Sequence, residues 1–198
     1  MAFRILTVCT GNICRSPLAA QLLRARLAPL GVIVESAGVG ALAGEGMPAP
    51  ARQIAERLGV TDATDHLGRQ LTADHLREAD LILAMARDHR RAIVELLPAA
   101  TRKTFTVREL ARIAGEVTDD DLRQDVAGAA STDDALRAAV LMAASFRGIV
   151  APPASPDELD VVDPYGQSTA VYERSAGQLV PAVEATAVLL ERAALLAS

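Results

Sequence analysis

The chain opens on a short apolar run, Arg4-Ile-Leu-Thr-Val8, that reads as a buried strand. A helical pattern follows. Pro17 suits a first turn, where its missing N–H costs nothing, and Leu18, Leu22, Leu23 and Leu27 recur at helical spacing. Gly31 ends that helix, and Val32-Ile-Val34 predicts a second strand. Residues 38–50 are rich in Gly, Ala and Pro and read as a loop, followed by a helix over Ala51–Leu58 closed by Gly59. Thr72 suits the N-cap of a short helix ending at Glu78, and Ala79–Ala84 predicts a third buried strand.

The second half continues the alternation. Arg87–Leu97 predicts a helix whose basic residues, Arg87, His89, Arg90 and Arg91, read as a solvated face. Lys103–Thr106 predicts a fourth strand and Val107–Ile113 a helix. Residues 115–131 are polar, acidic and rich in Gly and Ala, so a mobile or loosely helical segment is expected, with Asp119–Asp121 as a solvated cap or loop. Thr132–Phe146 has an amphipathic helical pattern, and Pro152, Pro153 and Pro156 force an extended connection. The last helix starts near Ser168 and buries Tyr172, Ala176, Leu179, Val183, Ala187 and Leu190; Pro181 inside it predicts a kink or break. Strands alternating with helices imply an α/β fold, a parallel sheet covered on both faces, with ligands bound beyond the carboxyl ends of the strands.

Composition narrows the function classes. The chain has 198 residues, enough for a single domain, 1–198, with a sizeable core. A net charge of −5 argues against general nucleic-acid or anionic-membrane binding, yet leaves room for a local anion site. No apolar run is long enough for a membrane span, and the start of the chain does not resemble a secretory signal, so a cytoplasmic protein is expected. The oligomeric state is left open. The two cysteines, Cys9 and Cys14, stand too close together to staple distant segments, which points to reduced thiols with a chemical role.

Both thiols lie in Cys9-Thr-Gly-Asn-Ile-Cys-Arg15-Ser16-Pro17, directly between the first strand and the first helix. There a thiol, loop amides, a helix N-terminus and a guanidinium converge, a combination that suits a tetrahedral dianion and makes phosphate the first ligand to consider. The helix and Arg15 favour the thiolate of Cys9, a strong nucleophile. Gly11 is expected to let the backbone turn so that successive N–H groups face inward, and Asn12 to brace the loop from a left-handed position. Arg15 can give two parallel donors to phosphoryl oxygens, and Ser16 can donate to the Cys9 sulfur. The three histidines, His66, His75 and His89, show no metal-ligand spacing.

Val8–Pro17 resembles the phosphate loop of the low-molecular-weight protein tyrosine phosphatases, and Asp163-Pro164-Tyr165 is similar to that family's general-acid segment. Ser36-Ala-Gly38, His66–Thr72 and Ala79–Met85 also match. The resemblance covers residues 3–113 and about 157–192, leaving 115–155 as a helical insertion before the acid loop. It implies a Rossmann-like three-layer α/β/α fold with a four-stranded parallel sheet in the order 2-1-3-4. It implies Cys9 as nucleophile, Arg15 as transition-state clamp and Asp163 as general acid, then base. Thr10, Gly11, Asn12, Ile13, Cys14 and Ser16 complete the phosphate loop; Ser36 and His66 support it; Leu42 and Tyr165 form the substrate rim. No metal or other cofactor is implied. The expected partner is a phosphotyrosine-containing protein, with a tyrosine kinase among the candidates. Cys14 is expected either to trap an oxidised Cys9 as a reversible disulfide or to be a small buried residue.

Departures from the family pattern bear on the substrate. Gly166 and Gln167 follow Tyr165, and the loop 39–46 carries no aromatic residue, so the wall around an aromatic substrate is thinner. Relatives acting on phosphoarginine tend to carry threonine at the position of Ile13, so Ile13 favours an aryl phosphate. The competing readings are an arsenate reductase fed by an external small thiol and a non-catalytic phosphoprotein-binding module.

Overall fold

A computed structural model describes residues 2–197. Four parallel strands, β1 (Arg4–Cys9), β2 (Ile33–Gly38), β3 (Leu81–Ala84) and β4 (Thr104–Thr106), form one sheet in the order β2-β1-β3-β4. β1 is central: Val8 pairs with Ala37 on one side and with Ala84 on the other. The helices are α1 (Arg15–Leu27), α2 (Ala49–Arg57), α3 (Ala73–Glu78), α4 (Arg87–Leu96), α5 (Val107–Glu116), α6 (Asp119–Val126), α7 (Thr132–Phe146) and α8 (Thr169–Leu196).

The strand side chains alternate between two cores, as a period of two demands. Ile5, Leu81, Leu83 and Phe105 pack with residues of α1, α2 and α5 to α8. Leu6, Val8, Ile82 and Ala84 face the other way, against Leu76 of α3 and Ile93 of α4. The result is a three-layer α/β/α arrangement. Every strand points its carboxyl end toward one edge, and the Cys9–Arg15 loop leaves β1 there.

Three expectations change. β2 runs on to Gly38 rather than stopping at Val34, because Glu35 and Ser36 pair with Leu6 and Thr7 of β1. The acidic stretch expected to be loose holds α6, started by a capping box in which Thr118 and Asp121 exchange hydrogen bonds. Its Leu122 and Val126 are buried in the same core as Leu136 of α7 and Leu190 of α8. The three aspartates favour its first turn, where a helix N-terminus attracts negative charge. Pro181 does not end α8, which continues to Leu196 with the proline ring exposed.

Packing of α6 is testable. Leu122 is fully buried, so Leu122→Ala is expected to cost about 2–5 kcal/mol of unfolding free energy. Urea denaturation followed by circular dichroism measures it; a loss under about 0.5 kcal/mol would mean that α6 is not part of the core.

Candidate active site

The geometry of the phosphate loop follows from where its carbonyl groups go. Cys9 O accepts from Val39 N at 3.0 Å, Thr10 O from Gly40 N at 3.1 Å and Gly11 O from Leu42 N at 3.0 Å. Asn12 O accepts from His66 Nε2 at 2.6 Å, which requires that this nitrogen carry the ring proton. Four successive carbonyls are thus committed outward, and the amides are left to line the concave side as an anion nest. Backbone must approach backbone closely for this. A Cβ on Gly38 would lie 2.4 Å from Thr10 O, and one on Gly68 2.6 Å from Leu42 O. Only glycine fits at either place.

Asn12 is the loop's pivot. It alone among the described non-glycine residues has positive φ, 56°, a region that asparagine tolerates better than most side chains. This is the left-handed position expected of Asn12; Gly11 does not have positive φ. Asn12 Nδ2 donates to Ser16 Oγ at 2.9 Å, and Asn12 Oδ1 accepts from Arg69 N at 2.9 Å. The Asn12 backbone N–H donates to Cys9 Sγ at 3.3 Å. Ser16 Oγ lies 2.9 Å from that sulfur. Because Ser16 already accepts from Asn12, its own proton is available to the sulfur, the arrangement a thiolate favours.

Arg15 and Asp163 meet although far apart in the chain. Arg15 Nη2 donates to Asp163 Oδ2 at 2.5 Å, and Nη1 to Val161 O at 3.0 Å. Arg15 is 5% exposed and Asp163 50%. Arg15 Nε is buried and has no hydrogen-bond partner among the described residues. Cys9, Thr10, Gly11, Ile13, Cys14 and Arg15 line a cleft of about 160 Å³. Leu42, Asp163 and Tyr165 form its rim, with Leu42 and Tyr165 exposed.

Two supporting residues are placed differently from each other. His66 holds the loop through Asn12 O, whereas Ser36 contributes its carbonyl, which accepts from Arg69 Nε at 2.7 Å. The two share a polar cavity of about 310 Å³ behind the loop, together with Gln21, Arg24, Glu35 and Arg69. Burial pushes the His66 pKa below its ordinary value, against the opposing pull of its bond to Asn12. Burial also pushes the Cys14 thiol up to about 12, so it stays protonated; it lies 4.0 Å from the Tyr172 hydroxyl. Both cysteines are free thiols.

Sequence reasoning missed His89. It is not on a solvated face: it is buried, and its Nε2 lies 2.9 Å from Thr10 Oγ1. Burial, helped by the charge of Arg15, pushes its pKa down to about 4. Its position two residues after Arg87 was the available signal, since residues so spaced point to different sides of a helix. Arg69 was also missed as a brace; inside a loop it carries no periodicity to mark it.

The burial of neutral His89 sets a pH dependence. The unfolded chain binds a proton near pH 6.5 that the fold resists until about pH 4, so stability falls as pH drops through that window and levels off below it. Relative to His89→Gln, the wild type is expected to lose about 2 kcal/mol between pH 7 and 4.5. Urea denaturation of both proteins across the window measures this, and parallel pH curves would refute it.

The family model described as low molecular weight phosphotyrosine protein phosphatase matches residues 4–128. A protein-arginine-phosphatase of Geobacillus stearothermophilus is 41% identical over 128 residues, 65% of this chain and 82% of that protein. The low molecular weight protein-tyrosine-phosphatase Etp of Escherichia coli is 47% identical over 101 residues, 51% of this chain and 66% of that protein. Among solved structures, the Erwinia amylovora tyrosine phosphatase AmsI superposes with a TM-score of 0.63 at 27% identity, over 93% of this chain and 91% of that one. The YwlE arginine phosphatase of G. stearothermophilus gives 0.58 at 32% identity, over 98% and 91%. With sequence, sheet order and superposition in agreement, the chain belongs to the low-molecular-weight protein tyrosine phosphatase family of cysteine-dependent phosphatases.

Proposed function

We propose that this chain removes phosphate from phosphotyrosine in proteins through a phosphocysteine intermediate, with Cys9, Arg15 and Asp163 as the catalytic residues. The observation that carries the reading is the convergence of three groups on one nest of amides. They are the Cys9 sulfur, hydrogen-bonded by Asn12 and Ser16, the buried Arg15 guanidinium, and the Asp163 carboxyl in contact with it.

In the first step the Cys9 sulfur attacks phosphorus, the P–O bond to the leaving group breaks, and Asp163 gives its proton to the departing oxygen. In the second, Asp163 takes a proton from water, whose oxygen attacks phosphorus. The S–P bond then breaks, releasing orthophosphate and the thiolate. The Ser16 hydroxyl supports that thiolate at 2.9 Å. The loop amides and Arg15 Nε, a buried donor with no partner among the described residues, offer hydrogen bonds to the equatorial oxygens. No metal or other cofactor takes part in either step.

The competing readings fare worse. A binding module has no use for a carboxyl beside the nucleophile, and an arsenate reductase would need its resolving thiol from outside, because the chain has only two cysteines. Between aryl and guanidino phosphate, Ile13 and Leu42 give the cleft apolar walls suited to a phenyl ring. The similarity to a protein-arginine-phosphatase makes phosphoarginine the substrate to test against it. The same proposal treats residues 1–198 as one domain in which 115–155 is an insertion, and places the protein in the cytoplasm with a phosphoprotein as partner.

The decisive assay compares a phosphotyrosyl peptide with a phosphoarginyl peptide. Wild type is expected to prefer the first. Cys9→Ser should abolish turnover, and Asp163→Asn should lower kcat/KM by about 10²–10⁴-fold. Preference for phosphoarginine would overturn the substrate assignment, and full activity of Cys9→Ser the mechanism. Ile13→Thr should shift the ratio of the two rates toward phosphoarginine; an unchanged ratio would remove Ile13 from the specificity argument.

A further inference from the structure

The segment that carries Asp163 is tied down residue by residue. Val161 N donates to Met85 O at 2.8 Å, and Val162 N to Gln178 Oε1 of α8 at 2.9 Å. The strongest tie is at Asp160. Its Oδ1 accepts from the backbone N–H of Arg87 at 2.8 Å. Its two oxygens accept from Arg87 Nε at 3.2 and 3.0 Å, and Oδ2 accepts from Nη2 at 2.8 Å. Arg87 Nη2 also donates to Asp157 at 2.6 Å, and Arg108 Nη1 to Asp160 O at 2.9 Å.

Asp160 thereby caps α4 from outside. Ala86, at the N-cap, provides no side-chain cap, so a carboxylate some 70 residues later in the chain satisfies the first amide of the helix. The same helical turn carries His89, whose ring meets Thr10 of the phosphate loop. One short stretch of α4 therefore grips both halves of the site, the acid segment through Arg87 and the nucleophile loop through His89.

We propose that Arg87 and Asp160 are positioning residues for proton transfer by Asp163. This rests on the phosphatase reading above. Their pair is partly exposed, Arg87 at 41% and Asp160 at 26%, and such pairs add little to global stability. Placement is another matter: an acid displaced by about 1 Å can lose on the order of 10²-fold in rate. The pair's contribution therefore belongs to the rate of the acid-assisted step. Its weight depends on how much the leaving oxygen needs a proton.

The test is kcat/KM on two aryl phosphates, phenyl phosphate and 2,4-dinitrophenyl phosphate. The first has a basic leaving oxygen and the second does not need protonation. Arg87→Met should lose about tenfold or more on phenyl phosphate and under about threefold on the dinitrophenyl ester. Arg87→Lys should restore part of the loss, and inhibition by orthophosphate should stay within about twofold of wild type, because the phosphate loop is untouched. Asp160→Asn should repeat the pattern. Equal losses on both esters, no loss on either, or weakened orthophosphate inhibition would overturn the proposal. Asp163→Asn in the same assay separates the two levels of argument. A leaving-group-dependent loss there with none in Arg87→Met refutes only the positioning role; its absence in Asp163→Asn refutes the acid itself.

Discussion

Everything at the carboxyl edge of the sheet depends on four peptide carbonyls that face away from the site. A loop whose amides converge on one point must dispose of its carbonyls on the other side, and buried carbonyls need donors. Here the donors come from the strand-exit segment 39–42 and from His66. Both approaches require glycine where backbone meets backbone, at Gly38 and Gly68. Asn12 closes the arrangement by taking the left-handed turn and spending its side chain on Ser16 and Arg69.

The electrostatic character of the site follows from the same burial. The chain is acidic overall, yet the cleft is built around a buried cation, Arg15. His66 and His89, which touch the loop, are held toward their neutral forms by burial. The positive field falls to Arg15, to the amides and to the start of α1, all fixed in position before a ligand arrives. Preorganised dipoles of this kind cost no reorganisation when charge develops.

Local patterns made the fold legible. The strand–loop–helix beginning at Arg4, the caps at Thr72 and the amphipathic face of α8 all express interactions between near neighbours in sequence. The Cys9–Arg15 loop was readable for the same reason, because Cys9, Asn12, Arg15 and Ser16 lie within eight consecutive residues. The place of Asp163 was not readable from the residues alone: it meets Arg15 across 148 positions, and only the resemblance of Asp163-Pro-Tyr to a known segment pointed to it. His89 was hidden inside a basic run because helical periodicity says which side a residue takes but not what waits there. The helix at Asp119–Val126 was obscured by its acidity, which signals solvation until the capping geometry of Thr118 gives it another meaning.

The distance along the chain between Cys9 and Asp163 orders events during synthesis. The Cys9 thiol is made more than 140 positions before the Asp163 carboxyl and the Val161 carbonyl that hold Arg15. A growing chain thus carries the loop thiol long before the side chains it meets in the finished fold. Contacts so remote in sequence form late, because closing a long loop comes at an entropic cost that only the remaining core offsets. Enzymatic competence in such a molecule is a signature of finished folding, and a truncated or misassembled copy holds the Cys9 loop without the carboxyl-terminal half of the site.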